Sequence, residues 1–173
     1  MDDKNKCHVC GRDAFFYSGY MKKELCLKHF ERMLISRARS AVKSEEYKKR
    51  TFRIRDDGSA ASVFLKFIFR EDGKSSLTLS NLTVEDFTID VLRYFIRGKK
   101  PRDRVATKKT FNPLYTTSES ELEAFMSAKQ LAYKKRKRSE DDSYLLGIAD
   151  DVEKRRPGGM ISAVRIGRRM GII

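Results

Sequence analysis

The pattern Cys7-x2-Cys10, fifteen residues, then Cys26-x2-His29 gathers all three cysteines of a 173-residue chain into its N-terminal part. Each pair can grip one edge of a tetrahedral ion from a tight turn, and three thiolates with one imidazole suit Zn2+ in a closed structural site. Gly11 follows the first pair, where a knuckle that turns backbone N–H groups toward thiolates needs a permissive residue. Between the pairs, AFFYSGY predicts a hairpin turning at Ser18-Gly19, and the chain from Leu27 onward predicts a helix. The competing arrangement, a Cys7/Cys10 redox pair with Cys26 as a buried thiol, leaves the spacing of the second pair without a reason. His8 lies inside the first turn and is expected to face solvent, so the predicted ligands are Cys7, Cys10, Cys26 and His29. No open coordination position is implied. The metal is therefore expected to be architectural, with no catalytic residue around it.

The odd number of cysteines also argues against a secreted disulfide framework and for a reducing compartment. A net charge of +14 raises the local concentration of polyanions by long-range attraction. Nucleic acid is the first partner class this predicts, and an anionic membrane surface the second. The sequence carries no run of about 18 apolar residues and no apolar signal segment. A soluble, cytoplasmic protein with no membrane partner is expected. With 40% apolar residues and eleven Phe the chain should build a core, although 36% charged residues make much of its surface ionic.

Beyond the cysteines, Phe30, Leu34, Ala38 and Val42 recur every four residues and predict one apolar stripe on a helix running from Leu27 toward Lys49. Lys28, Arg32, Arg39 and Lys43 fall on another face, either a solvated surface or a contact for backbone phosphates. Phe52 and Ile54 alternate with charge as in a strand, Asp57-Gly58 predicts a turn, and residues 59–69 predict an apolar helix. Strand, glycine turn and helix in that order present an anion site at a helix N-terminus, which makes Gly58, Ser59 and Ser62 candidates for phosphate binding.

SSLTLS predicts a second strand, and Thr83-x-x-Asp86 a capping box opening a helix that runs through Gly98. Its expected apolar stripe is Phe87, Val91 and Phe95, widened by Leu92 and Ile96. Residues 99–112 are basic and irregular, a loop or a short strand, and Ser118-x-x-Glu121 opens another capped helix to about Leu131. Lys134, Lys135, Arg136, Lys137 and Arg138 form an unbroken basic run, open to use as a solvated stretch, a phosphate patch or a localisation tag. The last segment predicts a helix ending near Arg155, a turn at Pro157-Gly158-Gly159, and a helix on which Arg165, Arg168 and Arg169 share a face.

Four of these segments, in this order, resemble the tRNA 2-thiolation family of the TtuA and cytosolic thiouridylase type. CHVC through LCLKHFERMLISRAR looks like the family's N-terminal finger and following helix, and SNLTVEDFTIDVLRYFIRG like the helix that opens on its acidic motif. FNPLYTTSESELEAFMSAKQL and VEKRRPGGMISAVRIGRRM are similar to two later segments. The resemblance implies an α/β fold. A zinc-ribbon-like finger over residues 1–32 would precede a small, truncated PP-loop (nucleotide alpha hydrolase-like) domain over 33–173, with tRNA as partner.

The chain also departs from that pattern. The family's pyrophosphate loop, S-G-G-x-D-S, corresponds here to residues 56–62, which retain one glycine and the final serine. Asp56 and Asp57 would repel a triphosphate, which argues against ATP at this loop. No cysteine follows Cys26, so neither a sulfur-carrying thiolate nor a cluster ligand is available beyond the finger. Leu82-Thr83-Val84-Glu85-Asp86 replaces the paired-aspartate motif. The expectation is a degenerate, non-catalytic tRNA-binding protein that pairs with an active thiolase subunit or with a second copy of itself. The alternatives are an atypical active ATP-dependent thiolase and a zinc-containing nucleic-acid-binding regulator. Of Phe15, Phe16 and Tyr17, two are expected in the core and one is free to stack on a base.

Overall fold

A computed structural model describes residues 6–19, 21–43, 51–102 and 104–173. The N-terminal finger is a hairpin of β1, Phe16–Ser18, and β2, Lys23–Leu25, paired antiparallel with Phe16 opposite Leu25. Cys26 then caps α1, Leu27–Val42, in extended conformation, and the Phe30 N–H donates to the Cys26 carbonyl at 2.9 Å. The helix buries Phe30, Leu34, Ala38 and Val42, the stripe expected from the four-residue repeat. The remainder of the helix predicted toward Lys49, like Tyr20 of the AFFYSGY stretch, lies outside the described residues.

A three-stranded parallel sheet follows, in the order β3, Arg53–Ile54, β4, Thr78–Leu79, and β5, Thr110–Phe111. Ile54 lies beside Leu79, and Leu79 beside Phe111, so alternate positions put apolar side chains on one face. Parallel neighbours need crossovers, and the chain supplies α2, Ala60–Ile68, and α3, Val84–Arg97. α3 opens on the predicted box, the Asp86 carboxylate accepting from the Thr83 N–H at 2.8 Å, and ends at Gly98 in left-handed conformation. α4, Glu119–Lys129, opens on Ser118, whose N–H donates to Glu121 at 3.1 Å. α5, Glu140–Arg155, and α6, Gly159–Arg169, close the chain.

Two buried clusters hold these elements. The larger runs without a break from Cys7, Leu25 and Phe30 of the finger, through Phe64 and Leu79, to Phe125 and Met126 of α4. Phe64 meets Phe125 edge-on at 5.0 Å between ring centroids. The smaller joins Val84, Phe87 and Val91 of α3 to Ala149, Met160 and Val164. Gly167 of α6 sits so close to α3 that a Cβ there would fall 2.6 Å from a Val91 methyl. The stripe predicted on α3 stops short: Phe87 and Val91 are buried, whereas Phe95 and Ile96 are 55% and 54% exposed. No described helix is long and apolar enough to cross a membrane.

Candidate functional site

The four predicted ligands converge. Their donor atoms all lie within 4.8 Å of one another. Cys10 Sγ is 3.7 Å from Cys26 Sγ, and His29 Nδ1 is 3.5 Å from Cys7 Sγ and 3.3 Å from Cys26 Sγ. One tetrahedral ion with thiolates at about 2.3 Å and an imidazole at about 2.0 Å spaces its donors by about 3.5 to 3.8 Å, so the cluster is dimensioned for a single ion. The knuckle forms because the Gly11 N–H returns to the Cys7 carbonyl at 2.8 Å, with Gly11 at φ +69°. His29 stands one turn inside α1, on the side that faces the knuckle. Burial pushes the Cys7 thiol up, but backbone hydrogen bonds at Cys26, Val9 and Cys10 and the His29 ring outweigh it and hold it down to about 5. Cys7 is thus a thiolate at neutral pH. His8 is exposed and accepts from Lys23 Nζ, outside the ligand set.

Asp56, Asp57, Gly58 and Ser59 join the end of β3 to α2, where an open α/β sheet presents its ligand crevice. The Gly58 and Ser59 amides are already engaged. Asp56 Oδ1 accepts from the Gly58 N–H at 3.0 Å and Asp57 Oδ1 from the Ser59 N–H at 2.9 Å, while Ser59 Oγ accepts from the Ser62 N–H at 3.4 Å. Two carboxylates therefore occupy positions that a bound phosphate would need. Burial pushes the Asp57 carboxyl up, but the Ser59 hydroxyl and N–H and the Arg136 guanidinium hold it below its usual range. The ion pair to Lys66, with the Gly58 N–H, does the same for Asp56.

The basic run lies across this crevice. The Lys134 N–H donates to the Gly58 carbonyl at 2.8 Å, and a Cβ on Gly58 would meet Lys134 Cδ at 3.1 Å. Arg136 donates to the Asn81 carbonyl at 2.8 Å, pairs with Asp86, and stands 3.7 Å from Asp57. Arg138 pairs with Glu119 at 2.7 Å and Asp86 at 3.1 Å. Lys134, Lys135 and Lys137 are exposed. The run that looks uniform in sequence thus divides by alternation, arginines turned inward to carboxylates and lysines outward.

The remaining candidates are on the surface. Lys28, Arg32, Arg39 and Lys43 are exposed along α1, as are Arg165, Arg168 and Arg169 along α6. Phe15 and Tyr17 are 43% and 48% exposed, so only Phe16 of the three aromatics packs into the core, its ring 4.7 Å from Phe30. Sequence reasoning missed the Arg37–Glu121 ion pair, both side chains of which are more than nine-tenths buried and which ties α1 to α4. Ser18 of the hairpin donates to the same Glu121 at 3.4 Å. Glu121 had signalled only a helix cap, and Arg37 lies off the basic row of α1. Sequence reasoning also missed Glu85, which Glu119 N–H reaches at 2.9 Å. Burial pushes its carboxyl up to about 7.

The architecture matches that of the U34-tRNA thiolase NcsA from Methanococcus maripaludis, solved with its 4Fe-4S cluster. The TM-score is 0.84 at 13% identity, over 98% of this chain and 89% of that one. The chain has a tRNA thiolase-like fold. No family model matches the sequence, and no curated protein matches it by sequence. The mixed α/β fold and N-terminal Cys/His cluster expected from the residues are therefore present on a known scaffold. A cluster like the neighbour's does not fit the residues here. Its ligands would sit on different irons and stand wider apart than the donors of the finger, which holds all the cysteines of the chain.

Proposed function

We propose that this protein is a non-catalytic, tRNA-binding component of the tRNA 2-thiolation type that works beside an active thiolase subunit. One observation carries the reading: on a thiolase-like scaffold, the amides at the end of β3 are closed by the chain's own Asp56 and Asp57. A triphosphate entering there would have to displace both carboxylates and face their charge, so the loop disfavours ATP. The lack of cysteine beyond Cys26 removes a thiol to carry sulfur.

The finger, residues 1–32, holds structural Zn2+ through Cys7, Cys10, Cys26 and His29, and residues 33–173 form the hydrolase-like domain. The +14 charge, with exposed cations on α1 and α6, supports binding to a polyanion.

The test is competition binding of the metal-loaded protein to folded tRNA against duplex DNA of equal charge over a salt series, with AMP and pyrophosphate release assayed in parallel. Expected are a tRNA preference that persists as salt rises and no nucleotide turnover by the isolated chain. Equal binding to both nucleic acids that vanishes with salt would reduce the protein to a basic metal-binding module. Pyrophosphate release without a partner would make it an enzyme in its own right.

A further inference from the structure

An open groove of about 560 Å3 separates α1 from α6. Hydroxyls line it, from exposed Ser36 and Ser40 of α1 and from Tyr115 and Thr116 after β5, together with Arg37 of α1 and, on the α6 side, Arg165 and Arg168. Among the described residues no carboxylate lines it. Beyond the lining residues, helix geometry sets Arg32 four residues before Ser36 and Lys43 three after Ser40, so exposed cations of α1 flank the two serines, whereas Arg39 turns away to donate to the Ile68 carbonyl at 3.4 Å. The Arg168 guanidinium lies 4.8 Å over the Tyr115 ring, which fixes it against the wall. Cations here are strung along two banks, where a single anion would want them converging on one point. That distribution fits a chain of phosphates.

We propose that an RNA strand runs through this groove, with Arg165 and Arg168 taking its phosphates and Ser36 and Ser40 meeting ribose 2′-OH groups. The inference rests on RNA being the partner, and adds where the strand lies and how it is told from DNA. Phosphate contacts carry affinity without regard to sugar, whereas a 2′-OH donates and accepts only in RNA. Seryl hydroxyls placed between two cationic banks supply both elements in one channel.

The experiment measures binding of the full, metal-loaded chain to folded tRNA, and to a single-stranded RNA and its DNA counterpart, over a salt series. Arg165→Glu/Arg168→Glu should weaken RNA binding by tenfold or more and lower the salt slope by about 1.4 to 1.8, two contacts at roughly 0.7–0.9 each. Lys99→Glu/Lys100→Glu, an equal charge change on exposed lysines away from the groove, should weaken it far less. Ser36→Ala/Ser40→Ala should narrow the RNA-to-DNA affinity ratio while leaving DNA binding in place. Metal content and thermal midpoint verify folding, and Arg165→Gln/Arg168→Gln serves if the reversals unfold.

If the groove reversal proves no worse than the Lys99/Lys100 control while wild type still binds tRNA, the groove is overturned and the tRNA reading stands. An unchanged RNA-to-DNA ratio in the serine variant removes the ribose contacts. Failure of wild type to bind any RNA sinks the tRNA reading itself.

Discussion

The finger and the loop at the end of β3 are both short turns that aim several polar groups at one point, and they settle the resulting field in opposite ways. In the finger every converging group is an electron donor. Three thiols and an imidazole cannot neutralise one another, and Cys7 is held as a thiolate, so the geometry calls for a cation from outside the chain. In the loop the amides of Gly58 and Ser59 meet Asp56 and Asp57, and Arg136 meets Asp57 and Asp86, so donors and acceptors balance within the chain. The same scaffold thus keeps one site open to a ligand and closes another. Satisfaction of local charge distinguishes them, since both have the glycine-bearing turn and helix N-terminus that such sites use.

The largest expected effect tests the open site. Cys26→Ser should reduce bound metal from one equivalent to none and unfold the finger, losing much of the roughly 10–16 kcal/mol that structural zinc supplies. Metal analysis and amide exchange over β1 and β2 check this, and retention of metal would break the contrast. Next, Glu121→Ala removes the buried carboxylate that meets Arg37 and Ser18 and should cost about 3–5 kcal/mol in chemical denaturation. A loss below about 1 kcal/mol would mean that the pair does not join α1 to α4.

Glu85 gives a pH-dependent test beside the hairpin, since it borders a cavity shared with Phe16 and Tyr17. Burial raises its carboxyl to about 7 from an ordinary 4.5, so the folded state binds the proton more tightly. Its contribution is present below about pH 4.5 and is lost as pH rises through about 7. The difference in unfolding free energy between wild type and Glu85→Gln should shift by on the order of 3 kcal/mol across that window, in favour of the variant at high pH. A difference flat with pH would show Glu85 ionised throughout. The smallest effect probes the closed site. Asp57→Ala removes the acceptor for the Ser59 N–H and should cost about 1 kcal/mol. Calorimetric titration should detect no micromolar ATP binding to wild type. Such binding would show that the loop opens after all.

Much of this was legible in the chain. The ligand spacing, the stripe on α1, the Thr83 and Ser118 boxes, the end of α5 near Arg155 and the turn into α6 are local patterns, and each was visible within a window of a few turns. What stayed hidden depends on distant partners. Arg136 finds Asp86 across 50 positions and Arg37 finds Glu121 across 84, so in sequence an arginine bound for a carboxylate looks like one bound for water. Phe95 and Ile96 continue the α3 period yet stay exposed, because burial depends on what packs over a position and not on its place in the repeat.

By itself the sequence determined the Cys/His cluster and the order of helices and strands, because ligand pairs and helix caps a few residues apart are set by local geometry. Only the tertiary structure decided which cations remain outside and that α1 and α6 leave a groove between them. Charge pairing and burial depend on distances through space, and those exist only once the chain has packed.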